Sequence, residues 1–192
     1  MKNKSETRKR CWGITDDDPL MAEYHDNEWG KPLHDDQRLF EALVLDGAQA
    51  GLSWRTILNK RENYRVAFDG FVVEKVAKYN DKKVQELMNN EGIVRNLLKI
   101  KSAIKNAQVF MEIQKEFGTF DAYIWGFTDG KTIDNKRKSG DSMLATSPLS
   151  DKISKDLKKR GMNFVGSTII YAMIQAIGIV DDHEEGCFRG WR

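Results

Sequence analysis

Cysteine is scarce in this chain: two occur among 192 residues, beside three prolines and three histidines. Two cysteines exclude the disulfide-dense scaffolds of small secreted domains. Three prolines exclude collagen-like and proline-rich low-complexity chains. Long apolar runs are missing too. The longest weakly polar stretch, Ser167 to Val180, is fourteen residues and includes Gln175, whereas a membrane-spanning helix needs about 20 apolar residues. The opening MKNKSETRKR is basic with no apolar segment behind it, so no secretory leader is expected. Familiar catalytic signatures are absent as well. Gly130-Lys131 lies in no phosphate-loop context, no GxGxxG follows a strand, and no GxSxG elbow occurs. With three histidines, two of them candidate metal ligands, a nucleophilic hydrolase has little to draw on. The expectation is a soluble, cytoplasmic protein with no membrane partner.

What is present is enough for one sizeable core: 40% of residues are hydrophobic and 10% aromatic. The net charge of +2 conceals an uneven distribution, with +4 on residues 1–10, +6 on 92–160 and −8 on the remainder. Such asymmetry suits a polyanion meeting the middle of the chain, and it equally suits solvated lysines on helix faces.

The hydrophobic periodicity is helical almost throughout. Leu97, Ile100, Ile104, Ala107 and Met111 form one stripe on a long helix. Asp36 to Ala50 predicts another. Shorter helices are expected over Trp54–Phe68, Val72–Tyr79, Asp81–Asn89, Ser150–Lys159 and Phe164–Ile177, with Ser53, Asp81, Ser150 and Asn163 as caps. Strand patterns are scarce, and Phe71-Val72-Val73 is too short to count as one. The fold class predicted is all-α, with residues 1–10 a disordered basic tail and 11–192 one domain.

Three groups of residues could carry chemistry. Cys11, His25, His183 and Cys187 lie near the two ends of the chain. His183 and Cys187 are four apart, on one face if their segment is helical. A Cys2His2 set suits tetrahedral zinc, but Cys11–x13–His25 matches no standard finger, so spacing alone favours two unrelated cysteines with two surface histidines. His34 reads as an ordinary surface residue. The second group is aromatic and acidic. Tyr24-His25-Asp26-Asn27-Glu28-Trp29-Gly30 and Ala50-Gly51-Leu52-Ser53-Trp54 bring Tyr24, Trp29 and Trp54 into play, with Asp46 upstream. Aromatic faces with a carboxylate suit a flat, electron-poor or cationic ring; core packing explains such residues as well. The third is the Gly92 turn between two helical patterns, near 87–96, followed by Arg95, Lys99, Lys101 and Lys105. It is either a phosphate-binding hairpin or an ordinary helix connection. Lys155, Lys158, Lys159 and Arg160, before Gly161, form a further basic patch that the helix dipole alone would favour.

These stretches, taken in order, carry a resemblance. YHDNEWG at 24–30, AGLSW at 50–54, KRENYR at 60–65, GIVRN at 92–96 and LKKRGMNFVGSTIIYAMIQAIGIVDDH at 157–183 are similar to the DNA-3-methyladenine glycosylase I family, bacterial alkylation-repair enzymes. The resemblance spans Cys11 to Cys187. It implies a helix–hairpin–helix glycosylase fold in which a structural zinc, held by Cys11, His25, His183 and Cys187, staples 11–34 to 178–192 around a helical core at 35–177. It implies hydrolytic excision of 3-methyladenine from double-stranded DNA without lyase chemistry, releasing the free base. Tyr24, Trp29 and Trp54 stand at the family's aromatic pocket positions, and Trp12 lies near a further family tryptophan. Asp46 would be the principal acid, where family members commonly carry a glutamate roughly 1.5 Å longer. The turn at Gly92 with Arg95 would grip phosphate, and Leu52 would wedge into the gap left by the flipped base. A monomer suits a scanner of duplex DNA. The rival readings are a zinc-stapled helical protein that binds damaged or distorted DNA without cutting it, and a helical RNA-binding protein.

Overall fold

The computed structural model describes residues 8–190. Helices dominate: α1 (Pro19–Asn27), α2 (Asp36–Gln49), α3 (Trp54–Ala67), α4 (Val73–Val76), α5 (Asp81–Asn89), α6 (Leu97–Phe117), α7 (Phe120–Trp125), α8 (Pro148–Lys159) and α9 (Ser167–Ala176). The predicted helices are all present within a few residues of their expected bounds, except Val72–Tyr79, which shortens to the single turn of α4. Two α-helices went unpredicted, α1 and α7. So did a pair of two-residue parallel strands, β1 (Ile133–Asp134) and β2 (Val180–Asp181).

Capping explains where several helices start, and corrects the sequence reading. Ser53 caps α3 as expected, its hydroxyl accepting from the Thr56 N–H at 3.2 Å. Elsewhere the cap lies one or more residues upstream: Asn80 rather than Asp81 for α5, and Ser147 rather than Ser150 for α8, where the two serines form a reciprocal capping box. Asn163 caps nothing. Its N–H donates to Asn106 Oδ1 and its carbonyl accepts from Asn106 Nδ2, both at 2.9 Å, so α6 holds this backbone outside the helix until Gly166.

The core packs α2 against α6, α7 and α9. Phe40 meets Phe110 edge-on with ring centroids 5.3 Å apart, and Phe110 stacks on Phe120 at 4.1 Å. The predicted stripe of α6 is buried at Ile100 and Ala107, half-buried at Ile104 and Met111, and exposed at Leu97. A second, smaller apolar cluster joins Cys11, Tyr24, Trp29, Leu58 and Cys187. Trp54 packs against both clusters, which places it between the helical core and the meeting chain ends.

Residues 1–7 of the expected tail lie outside the described residues. Residues 8–10 do not behave as a tail. The Phe188 N–H donates to the Lys9 carbonyl at 2.9 Å, and the buried Arg10 guanidinium grips both oxygens of Asp26 at 2.8 Å and Asp16 at 2.8 Å. Beside Arg10, the Asp26 carboxyl is held down to about 2.

Candidate functional site

The ends of the chain meet at a group of sulfur and nitrogen atoms. Ligand atoms of Cys11, His25 and Cys187 lie within 4.8 Å of one another, all buried. The two cysteines come from opposite ends of the sequence, which is why spacing alone could not pair them. Cys187 Sγ is 3.5 Å from His25 Nε2. The His25 Nδ1 contacts Asp26 Oδ1 at 2.9 Å, an orientation that turns Nε2 toward the thiols. Contact with Cys11, together with His25, draws the Cys187 thiol well below its ordinary value, so the pair favours a thiolate.

His183 stands beside this trio without joining its 4.8 Å cluster. Its ring centroid is 5.2 Å from that of His25, its Nδ1 is fixed on Asp181 Oδ1 at 2.7 Å, and its buried Nε2 has no partner among the described residues. An imidazole nitrogen of this kind, on a ring beside the His25 that contacts the Cys187 thiol, completes a donor set that fits a structural, closed metal centre. The segment from His183 to Cys187 is not helical, so the shared helix face that a helix there would give does not arise. The segment is a turn, with the Cys187 N–H on the Glu184 carbonyl at 3.0 Å.

Trp29 separates this group from an aromatic pocket. Its ring centroid is 4.5 Å from that of His183 and 4.5 Å from that of Trp12. Gly30 permits the approach: a Cβ there would lie 2.6 Å from His183 Cε1, and the backbone has φ +74°. The pocket is about 370 Å³ in volume, walled by Trp12, Tyr24, Trp29 and Trp54. Tyr24 and Trp54 rings are 5.3 Å apart. Trp12 is 42% exposed and forms the outer rim, on a left-handed backbone of φ 57°.

Asp46 closes the floor. It projects from the last turns of α2, is 3% exposed, and its buried Oδ2 has no hydrogen-bond partner among the described residues. Burial pushes its carboxyl up to about 8. Trp54 Nε1 is likewise buried and unpartnered. Two unsatisfied polar atoms on one pocket are costly unless a guest supplies their partners. Behind Asp46 lies a second cavity of about 190 Å³, lined by Glu28, Arg38, Glu41 and Arg61. There Arg61 ties α3 to Glu28 at 2.7 Å and Glu41 at 2.6 Å, fixing the outer wall. Sequence reasoning missed this ion-pair group, as it missed Gln49, Met143 and Gln175 on the pocket wall.

The remaining candidates lie outside the pocket. Leu52 is 41% exposed on the turn after α2, where a shallow groove runs from it to Asp46. Gly92 sits in the turn between α5 and α6, its N–H on Asn90 Oδ1 at 2.8 Å. A Cβ there would come within 2.9 Å of Asn63 Cβ. Arg95 is exposed beside it, 3.5 Å from Glu91. His34, read as an ordinary surface residue, contacts Asp121 Oδ1 at 2.8 Å and stacks on Trp125.

Comparison with known proteins places this architecture. The Methyladenine glycosylase family model matches residues 12–190. The DNA-3-methyladenine glycosylase 1 of Escherichia coli K12 is 42% identical over 179 residues, covering 93% of this chain and 95% of that protein. A crystal structure of a 3-methyladenine DNA glycosylase I superposes with a TM-score of 0.91 at 43% identity, covering 95% of this chain and all of the other. A tyrosine-to-phenylalanine variant of such an enzyme, solved in complex with 3-methyladenine, superposes at 0.88 with 33% identity, over 91% of this chain and 94% of that one. With the family model spanning nearly every described residue and the fold shared end to end, the chain belongs to the methyladenine glycosylase family.

Proposed function

We propose that this protein excises 3-methyladenine from alkylated double-stranded DNA by hydrolysing the N-glycosidic bond, leaving an abasic site. The observation that carries the reading is the buried, unpartnered Asp46 carboxyl at the floor of a pocket walled by Tyr24, Trp29 and Trp54. A stacked base cannot reach such a pocket, so the nucleotide must be extruded, at a cost of a few kcal/mol that a damaged base reduces. Leu52 would fill the vacated gap, while the Gly92 turn and Arg95 hold the backbone.

Methylation at N3 leaves the nucleotide's base cationic and so a ready leaving group. The aromatic walls stack on it, Trp12 from the rim. Asp46 holds its proton to about pH 8 in the free protein; a cationic guest would draw out its carboxylate, so binding strength is reserved for the charged lesion. Water then attacks the anomeric carbon as the bond breaks. No amine nucleophile is needed, and the half-buried Lys99 is engaged with backbone carbonyls.

The reading includes a structural zinc on Cys11, His25 and Cys187 with His183 as fourth ligand, supported by the buried, unpartnered His183 Nε2. When bound, that ion clamps the two chain ends and takes no part in the chemistry. We read residues 11–192 as one glycosylase domain of helix–hairpin–helix type, acting as a cytoplasmic monomer. Among the described residues no helix is long and apolar enough to cross a membrane.

Chromatography of bases released from methylated duplex DNA tests the reading. Release of 3-methyladenine with 7-methylguanine left in place is expected. A folded sample that releases neither overturns it.

A further inference from the structure

Gln175 is a polar side chain on the last turn of α9, 4% exposed, and it lines the aromatic pocket together with Asp46. Its orientation is determined by its neighbour. The Gln175 Nε2 donates to Asp182 Oδ2. A carboxylate oxygen there only accepts, so the amide nitrogen must face Asp182, and Oε1 takes the opposite branch. Asp182 is itself immobilised, 1% exposed, with Tyr171 Oη donating to the same Oδ2 at 2.7 Å and Asn135 Nδ2 to Oδ1 at 2.7 Å. The Gln175 backbone is fixed too, its carbonyl accepting from the Gly30 N–H at 3.1 Å, next to the Trp29 wall. Main chain and side chain are therefore both held by groups outside the pocket. The amide has one strong acceptor left over, on a residue that forms part of the pocket wall.

We propose that Gln175 is a specificity-determining residue whose Oε1 accepts a hydrogen bond from the exocyclic 6-amino group of the bound base, with Asp182 as the positioning residue that sets the amide's direction. The proposal rests on the glycosylase reading above and deepens it. A purine with a 6-amino group donates at that edge; a 6-keto purine presents an acceptor there, and two acceptors would face each other in a buried site. Sites that hydrogen-bond a substrate group reject analogues lacking it far more strongly than apolar pockets do. The aromatic walls and the Asp46 carboxyl select a cationic flat ring; the Gln175–Asp182 pair selects adenine among such rings.

The test compares 3-methyladenine with 3-methylhypoxanthine, which carries a 6-oxygen instead, by quenching of tryptophan fluorescence in the unaltered protein and in Gln175→Leu. The unaltered protein should bind the amino base at least about tenfold tighter, and Gln175→Leu should bring the two within about twofold. Equal affinities in the unaltered protein overturn the proposal without any variant, and so does a folded Gln175→Leu that keeps the full ratio. Asp182→Ala should lose the same discrimination, and Asp182→Asn, which can still offer Gln175 an oxygen, should recover part of it. Equal discrimination in all Asp182 variants removes Asp182 from the proposal. An unaltered protein that excises 3-methyladenine while Gln175→Leu keeps its ratio defeats this inference alone. One that excises nothing defeats the functional reading and this inference with it.

Discussion

Lys99, in the first turn of α6, reaches back to the end of α2 and donates its Nζ to the carbonyls of Ala48 at 2.8 Å and Ala50 at 2.7 Å. Those carbonyls have no helical partners of their own, and a cation there also suits the negative end of the α2 dipole. One side chain thus links the turn that carries Leu52 to the helix that follows the Gly92 turn. Lys99→Met removes two charge-assisted bonds and should cost about 1–3 kcal/mol of stability, read by thermal or urea unfolding. A loss under about 0.5 kcal/mol would show that water satisfies both carbonyls in its place.

Asp46 makes stability fall as pH rises. The unfolded chain releases this proton near pH 4, whereas burial in the folded protein holds it to about pH 8. The folded state therefore binds more protons between those values, and stability contributed below about pH 4 is lost as pH climbs through about 8. Asp46→Asn carries no such proton. It should be more stable than the parent at pH 9 by on the order of 1–3 kcal/mol, with a smaller gap at pH 5. Melts at the two pH values check this. The same variant should lose about 100-fold or more in excision; full activity would remove Asp46 from the chemistry.

Cys187→Ser should abolish metal binding and lower the melting temperature before it touches base recognition, because the ligand group is closed off from the pocket by Trp29. Elemental mass spectrometry should find one zinc per chain in the parent and none in the variant. Unchanged metal content would break the ligand assignment.

Gly92→Ala places a methyl 2.9 Å from Asn63 Cβ and 3.0 Å from Asn90 Oδ1, so the hairpin must shift. Duplex affinity should drop by about 1–3 kcal/mol at fixed salt, while free-base binding, which uses another part of the molecule, holds. Arg95→Ala should lower the slope of log affinity against log salt by about 1. An unchanged slope would place Arg95 off the phosphate backbone.

The helical core was legible because its signals are local. The stripe on α6 and the Ser53 cap are written into neighbouring residues: the stripe is buried at Ile100 and Ala107, and Ser53 caps α3. What stayed hidden depends on distant partners. α1 begins at Asp18-Pro19, but its most informative residues read as a chemical cluster rather than as a helix. The β1–β2 pair joins Ile133 to Val180 across 47 positions through two-residue strands, too short for any alternation to register. The site divides in the same way. Tyr24, Trp29, Trp54 and Asp46 stood out by residue type within short motifs. Gln175 looked like one polar break in an apolar helix, and its meaning comes only from Asp182, seven residues on and folded back beneath it. Arg10 likewise read as tail until Asp16 and Asp26 were seen around it.

The pocket's walls come from widely separated parts of the chain: Trp12 and Trp29 early, Asp46 and Trp54 next, Gln175 far downstream. A ribosome makes these pieces in that order. For most of its synthesis the nascent protein carries tryptophans whose packing partners, His183 and Cys187 among them, do not yet exist. The pocket is therefore completed only late in synthesis, and a prematurely terminated chain would hold Trp12, Trp29 and Trp54 without Gln175.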